Sequence, residues 1–236
     1  MIEFRKASDR HHEERRKQDT WLTFYPGDET GGFGALETFR EDRLRPGARV
    51  PRHAPRGAEI VTYVREGALT YEDSMGRSGV IHAGEFQRNG TEPGIRHSEM
   101  NASRSDWAHV FRIGLRPAEA GLEPGHQQKR FSVAERRGEF CVVASTDARK
   151  GSLRLSHDAL IHSAMLYRGQ HVVHELAPGR GGWLHVVKGA VAFADTILHG
   201  GDGAGVTDER AVSLTAQEES EVLLLDLGGA YQVVRG

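Results

Sequence analysis

The chain has 236 residues, a mass of 26.0 kDa and a formal net charge of −2. That near-neutral balance lacks the clustered Lys and Arg from which nonspecific nucleic-acid binding draws its affinity, so no direct nucleic-acid partner is expected. Cys141 is the only cysteine, which rules out an intrachain disulfide and fits a reducing compartment.

At the N-terminus, Glu3, Arg5, Lys6 and Asp9 follow Met1 with no apolar run behind them, so a signal peptide is not expected. The mixed run from Arg10 to Lys17 reads as a solvated surface segment. No stretch is long and apolar enough to span a bilayer as a helix. A cytoplasmic protein with no membrane partner is the expectation.

Short β-branched and aromatic runs then recur: Ile60 to Val64, Val80-Ile81, Trp107 to Ile113, Phe140 to Val143, Trp183 to Val187 and Val222 to Leu225. The chain's 29 glycines punctuate them, and helical patterns are scarce. Many short strands with glycine turns predict an all-β sandwich or barrel.

A repeat doubles that unit. Tyr63-Val64-Arg65-Glu66-Gly67-Ala68-Leu69, followed by Val80-Ile81-His82-Ala83-Gly84-Glu85, is matched by Val186-Val187-Lys188-Gly189-Ala190-Val191 and Ile197-Leu198-His199-Gly200-Gly201-Asp202. The turn glycines Gly67 and Gly189 are 122 residues apart. A repeat of this size predicts two similar barrels. The polar stretch between them, with Pro117 and Pro124, reads as a connector. The resulting division is a segment over 1–20, a first barrel over 21–116, a connector over 117–139, and a second barrel with a C-terminal tail over 140–236.

Chemistry concentrates in two places, Arg52-His53-Ala54-Pro55-Arg56-Gly57-Ala58-Glu59 and Pro93-Gly94-Ile95-Arg96-His97-Ser98-Glu99-Met100-Asn101. Side chains two apart on a strand share a face, so His97, Glu99 and Asn101 are expected in one cavity, joined by His53 and Glu59 if their strand is regular. Two imidazoles with carboxylates form a candidate metal site. The position two after His53 is Pro55, which has no ligating atom.

The remaining histidines read as structural. His82, His157 and His162 are expected at the surface and His109 as a bonded core residue. His171, His174 and His185 lack the parity of a second metal site. Gly201 and Gly203 read as turns, and Cys141, within an apolar run, as buried and inert.

The segments from Glu59 to Gly67 and from Gly94 to Asn101, with Asp73-Ser74-Met75-Gly76, Ala177-Pro178-Gly179-Arg180 and Gly201-Asp202-Gly203-Ala204, resemble the pirin family of the cupin superfamily. The resemblance runs from about Trp21 to Leu227. It implies a bicupin, two antiparallel jelly-roll-like β-barrels packed together, with one divalent transition metal in the N-terminal barrel. Iron is the preferred metal, with nickel, zinc or copper as alternatives.

By that resemblance His53, His97 and Glu99 match three of four ligands, Pro55 stands where the second His of the family's His-Pro-His-Arg motif belongs, and Glu59 is a substitute ligand. Glu99 is also the candidate catalytic base. His₂-carboxylate sets with open positions serve non-heme iron oxygenases. Two functions stay open. One is a metal-dependent quercetin 2,3-dioxygenase-type oxygenase acting on a flavonol-like molecule. The other is a non-catalytic regulator or binding protein without a functional metal, working through a protein partner.

Overall fold

The computed structural model describes residues 1–28, 31–50, 58–90, 97–116 and 125–229. Apart from short 3-10 turns at Ala7–Asp9 and Arg149–Gly151, its regular elements are strands. No helix among the described residues is long and apolar enough to cross a membrane. The strands fall into two compact units. The N-terminal unit holds His11–Gly32 and Leu36–Phe131, and the C-terminal unit holds Met1–Arg10, Phe33–Ala35 and the chain from Ser132 on.

In the N-terminal unit a seven-stranded sheet runs β12 (His126–Arg130), β9 (Glu85–Asn89), β6 (Glu59–Glu66), β11 (Ala108–Leu115), β4 (Leu36–Leu44), β3 (Gln18–Phe24), β2 (His11–Arg15). Its four-stranded sheet runs β5 (Arg49–Val50), β10 (His97–Asn101), β7 (Ala68–Asp73), β8 (Ser78–His82).

The C-terminal unit repeats the plan. Its seven-stranded sheet is β1 (Ile2–Arg5), β20 (Gly203–Val206), β17 (Gly181–Lys188), β22 (Ser220–Leu227), β15 (Ala159–Leu166), β13 (Cys141–Ser145), β14 (Leu153–Arg154). Its four-stranded sheet is β16 (His171–Glu175), β21 (Ala211–Ala216), β18 (Ala190–Phe193), β19 (Thr196–His199). Each unit is therefore a jelly-roll-like pair of sheets with edge strands, rather than a barrel whose ladder closes on itself.

Alternation along the strands builds each core. Leu44, Val64, Leu69, Ile81, Ala108 and Val110 meet inside the N-terminal unit. Leu166, Leu184, Val186, Val191, Leu214, Val222 and Leu224 meet inside the C-terminal one. The repeated glycines have a steric reason. Gly67 and Gly189 have φ of 76° and 85°, and a Cβ there would lie 2.6 Å from the Trp107 carbonyl and 2.5 Å from the Glu219 carbonyl.

Several boundaries differ from the sequence reading. β12 lies inside the stretch read as a connector and completes the N-terminal sheet by pairing with β9. Its sequence His-Gln-Gln-Lys-Arg has no apolar alternation, and none of its residues is fully buried. The first twenty residues are divided, with β1 pairing with β20 and β2 pairing with β3. His157 and His162, read as surface residues, are 5% and 3% exposed, and Cys141 is half-buried. His109 is the bonded core residue expected, its Nε2 lying 2.8 Å from Glu41 Oε1.

Candidate metal centre

β10 brings His97, Glu99 and Asn101 to one face, and register fixes their neighbours. His97 pairs with Asp73, Glu99 with Tyr71 and with Val50, and Asn101 with Leu69. Leu69 and Val50 belong to the N-terminal core, so this is the inner face. Asn101 is spent on the fold. Its Nδ2 donates to the carbonyls of Leu44, Arg45 and Asp106 at 3.0, 3.2 and 2.8 Å, and its Oδ1 accepts from Ser103 N–H at 2.9 Å.

Glu99 is held from the opposite sheet. Arg112, on the inner face of β11, donates to Glu99 Oε2 from Nε at 3.1 Å and again from a terminal nitrogen, while its other terminal nitrogen donates to Asp42 Oδ2. Glu99 Oε1 makes no hydrogen bond among the described residues. Asp42 is fully buried and also accepts from Gln18 Nε2 at 2.8 Å, Thr20 Oγ1 at 2.6 Å and Arg40 Nε at 2.8 Å. Burial pushes its carboxyl upward, but the Arg112 and Arg40 guanidiniums outweigh that and hold it below the usual range. Arg112, buried yet flanked by Glu99 and Asp42, is raised. One oxygen of Glu99 is thus oriented by a buried cation, and the other is without a hydrogen bond among the described residues. Carboxylates that bind metals are held in this way.

A second polar group lies around Tyr71. Its hydroxyl is 3.0 Å from His126 Nε2, and His126 Nδ1 is 2.9 Å from Asn89 Oδ1. Burial, the Arg77 charge and nearby His97 push His126 below the ordinary histidine value against the pull of Asp73. Asp73 closes the hairpin of the Asp-Ser-Met-Gly motif, accepting from Met75 N–H at 2.9 Å and from Arg77 N–H at 3.0 Å. Thr62, across from Arg112 and Gln87 in register, has a buried Oγ1 with no hydrogen-bond partner among the described residues. A concavity of about 660 Å³ lies over the four-stranded sheet, lined mainly by residues of its other face, among them Arg49, Thr70, Glu72, Val80, Ser98 and Met100.

The structure brings His97 and Glu99 together on one face. It does not bring Glu59 there. Arg112 faces Thr62 across the β11–β6 ladder, so even-numbered β6 residues face the site, while Glu59 shares the opposite face with Val61 and Tyr63. There it is fully buried and accepts from Arg88 Nε at 2.5 Å. Glu59 is therefore committed to an ion pair away from Glu99. His53 and Pro55 lie outside the described residues. Among the described residues no three His, Cys, Asp or Glu side chains gather as a metal would need. His97 and Glu99 are two side chains of metal-ligating type on this face.

Sequence reading missed Tyr71, His126, Arg112 and Asp42. Arg112 and Asp42 were legible only as charges inside apolar strands, a pattern that marks a buried partner.

Two jelly rolls of matching strand order, one carrying imidazole and carboxylate donors on its inner face, define a bicupin. The comparisons agree. The pirin family model matches residues 4–114, and the model of the quercetinase C-terminal cupin domain matches residues 142–227. Quercetin 2,3-dioxygenase of Escherichia coli K12 is 37% identical over 231 residues, covering 96% of this chain and 99% of that protein. A pirin-like protein of Caulobacter vibrioides is 33% identical over 195 residues, covering 82% and 84% of the two chains. The crystal structure of the bacterial pirin YhhW from Escherichia coli in complex with nickel(II) superposes with a TM-score of 0.89 at 37% identity, covering 98% of this chain and 100% of that one. The chain belongs to the pirin family.

Proposed function

We infer that the N-terminal unit is a single-metal site of the quercetin 2,3-dioxygenase type, with His53, His97 and Glu99 as protein ligands and a flavonol-like molecule as substrate. The observation that carries this reading is Glu99, with one carboxylate oxygen fixed by Arg112 and the other unengaged among the described residues, two residues from His97 on the same inner face. The buried Thr62 Oγ1, without a partner among the described residues, supports a polar occupant beside it. A relative named for quercetin dioxygenation and a pirin crystallised with nickel(II) support the reaction class and a divalent transition metal.

When bound, such a metal supplies a Lewis acid, open coordination positions and, for iron, nickel or copper, a redox centre. The chain's own part is positional. Arg112 holds the Glu99 carboxylate in one orientation. The Glu99 oxygen not held by Arg112 is the one that would hold the metal and, by leaving it, could take the proton of a substrate hydroxyl. The inner apolar residues exclude water from the site's floor.

Pro55 favours the second reading, a non-catalytic binding protein. The test is consumption of quercetin and of O₂ by protein purified without chelators, then after metal removal and after reloading with iron, nickel, zinc or copper. Turnover that disappears on removal and returns with a metal is expected. Stoichiometric metal with no turnover of any flavonol would leave the regulator reading in its place.

A further inference from the structure

The Tyr71–His126 contact belongs to a longer chain of hydrogen bonds whose direction is fixed at its far end. Gln128 Nε2 donates at 2.8 Å to the Val80 carbonyl and at 2.8 Å to Glu85 Oε2, both of them acceptors only. Its Oε1 therefore points back and accepts from Gln87 Nε2 at 3.4 Å. Gln87 Oε1 in turn accepts from Asn89 Nδ2 at 2.8 Å. Asn89 then presents Oδ1 to His126 Nδ1, which must carry the proton. A neutral imidazole protonated on Nδ1 has its lone pair on Nε2, so the Tyr71 hydroxyl donates to it. The phenol oxygen has then spent its only proton and can only accept from anything else that reaches it.

The fold does not require this arrangement. The repeat aligns Gly67 with Gly189, and strand register carries the correspondence across each sheet. Tyr71 corresponds to Phe193, and Asn89 and Gln87 to Val206 and Ala204. His126 and Gln128 correspond to Ile2 and Phe4. Each of these polar positions is apolar in the C-terminal unit. Space is also reserved for the ring. Gly79 faces Tyr71 across the ladder, and a Cβ there would lie 2.6 Å from the tyrosine hydroxyl, whereas the corresponding residue of the other unit is Thr196.

We propose that Tyr71 is a specificity-determining residue whose phenol oxygen, its own proton committed to His126, accepts a hydrogen bond from one hydroxyl of a polyhydroxylated aromatic ligand seated beside Glu99. His126 is a positioning residue that acts through Tyr71. The inference rests on the proposed function for the ligand's class, and Tyr71 sets which hydroxyl-bearing ligands are accepted. A ligand bearing an ether or hydrogen at that place leaves the oxygen unpaired, and sites built to bond a hydroxyl reject analogues lacking it.

The experiment is equilibrium binding of quercetin, of flavonols lacking one hydroxyl at a time, and of catechol. It uses the full chain and its Tyr71→Phe, His126→Leu and His126→Gln variants, with nitrogen NMR of the His126 ring alongside. In wild type one deoxy analogue binds about tenfold more weakly than quercetin. That penalty disappears in Tyr71→Phe and in His126→Leu. It returns in His126→Gln, whose amide oxygen can accept from Tyr71. NMR shows the proton on Nδ1. A proton on Nε2, or a penalty unchanged by Tyr71→Phe, would overturn the inference while leaving the flavonol reading standing. Wild type that binds neither quercetin nor catechol would overturn both.

Discussion

The two units share a strand order but differ in what fills them. At the level where the N-terminal unit places His97, Glu99, Arg112, Asp42 and Thr62, the C-terminal unit places Val212, Leu214, Leu224, Ala164 and Leu184. All five stand in its apolar core cluster, with His162 and His174 paired in register beside Leu224 and Val212. The jelly roll is thus stable with an apolar filling. Buried charge at this level of the N-terminal unit costs desolvation and is kept by pairing, and strand order alone does not call for it. The C-terminal unit has its own ionisable end. There His174 Nε2 lies 2.7 Å from Asp226 Oδ2, Arg180 Nε donates to Asp226 Oδ1 at 2.5 Å, and the rings of His162 and His174 lie 4.4 Å apart. No group of metal-binding size forms there among the described residues.

Exchanging residues between the units is the sharpest way to break this comparison. Arg112→Leu installs the C-terminal unit's residue but strands the Glu99 carboxylate and leaves Asp42 to Arg40, Gln18 and Thr20, and is expected to cost about 3 kcal/mol in denaturant unfolding. The combined Arg112→Leu, Asp42→Ala, Glu99→Leu variant removes the buried arginine with both of its carboxylates and is expected to recover most of that loss. If the combined variant is no more stable than Arg112→Leu alone, the ion network is a structural requirement of the N-terminal fold.

The next effect belongs to the C-terminal unit and depends on pH. Burial, then the neighbouring His174, push His162 down to about 4. The unfolded chain therefore binds a proton at this site between roughly pH 6.5 and 4 that the folded chain does not, so stability rises with pH through that window and is lost on acidification. The size is roughly 3 kcal/mol across the window. His162→Leu should flatten the stability profile between those values. A profile as steep as wild type would place the titration elsewhere.

The smallest effect is at Gly79. Gly79→Thr, again the other unit's residue, puts a Cβ against the Tyr71 hydroxyl, the far end of a side chain that can turn aside. The expected cost is about 1 kcal/mol, one hydrogen bond, with loss of the His126 contact in the NMR spectrum. An unchanged His126 signal would show that the ring does not need the gap.

Much of this was legible in the sequence, for physical reasons that also set the limit. Runs such as Ile60 to Val64 and Trp183 to Val187 read as strands because buried strands need β-branched and aromatic residues. Gly67 and Gly189 gave the repeat because only glycine fits those turns. The pair His97 and Glu99 was legible because i and i+2 share a face. Glu59 was placed with them by parity counted along the sequence, but facing between two strands depends on register, which Arg112 and Thr62 reveal only in the fold. β12 was invisible because His126 and Gln128, on the face it shares with Asn89 and Gln87, are polar, removing the alternation that marks a strand. His162 was read as a surface residue because nothing near it in sequence shows that β22 and β16 close over it.

The Pro55 substitution offers one route into the site. Pro55→His restores an imidazole two residues from His53 and is expected to raise affinity for iron, nickel or zinc over wild type in side-by-side titrations. Equal and negligible binding by both proteins would count against a metal role for this site. The most direct measurement is metal stoichiometry by elemental analysis of wild type beside His97→Val, Glu99→Leu, the double variant that gives the N-terminal unit the residues of its apolar counterpart. The account predicts a bound divalent metal in wild type and none in the variant. The same metal content in both would contradict it.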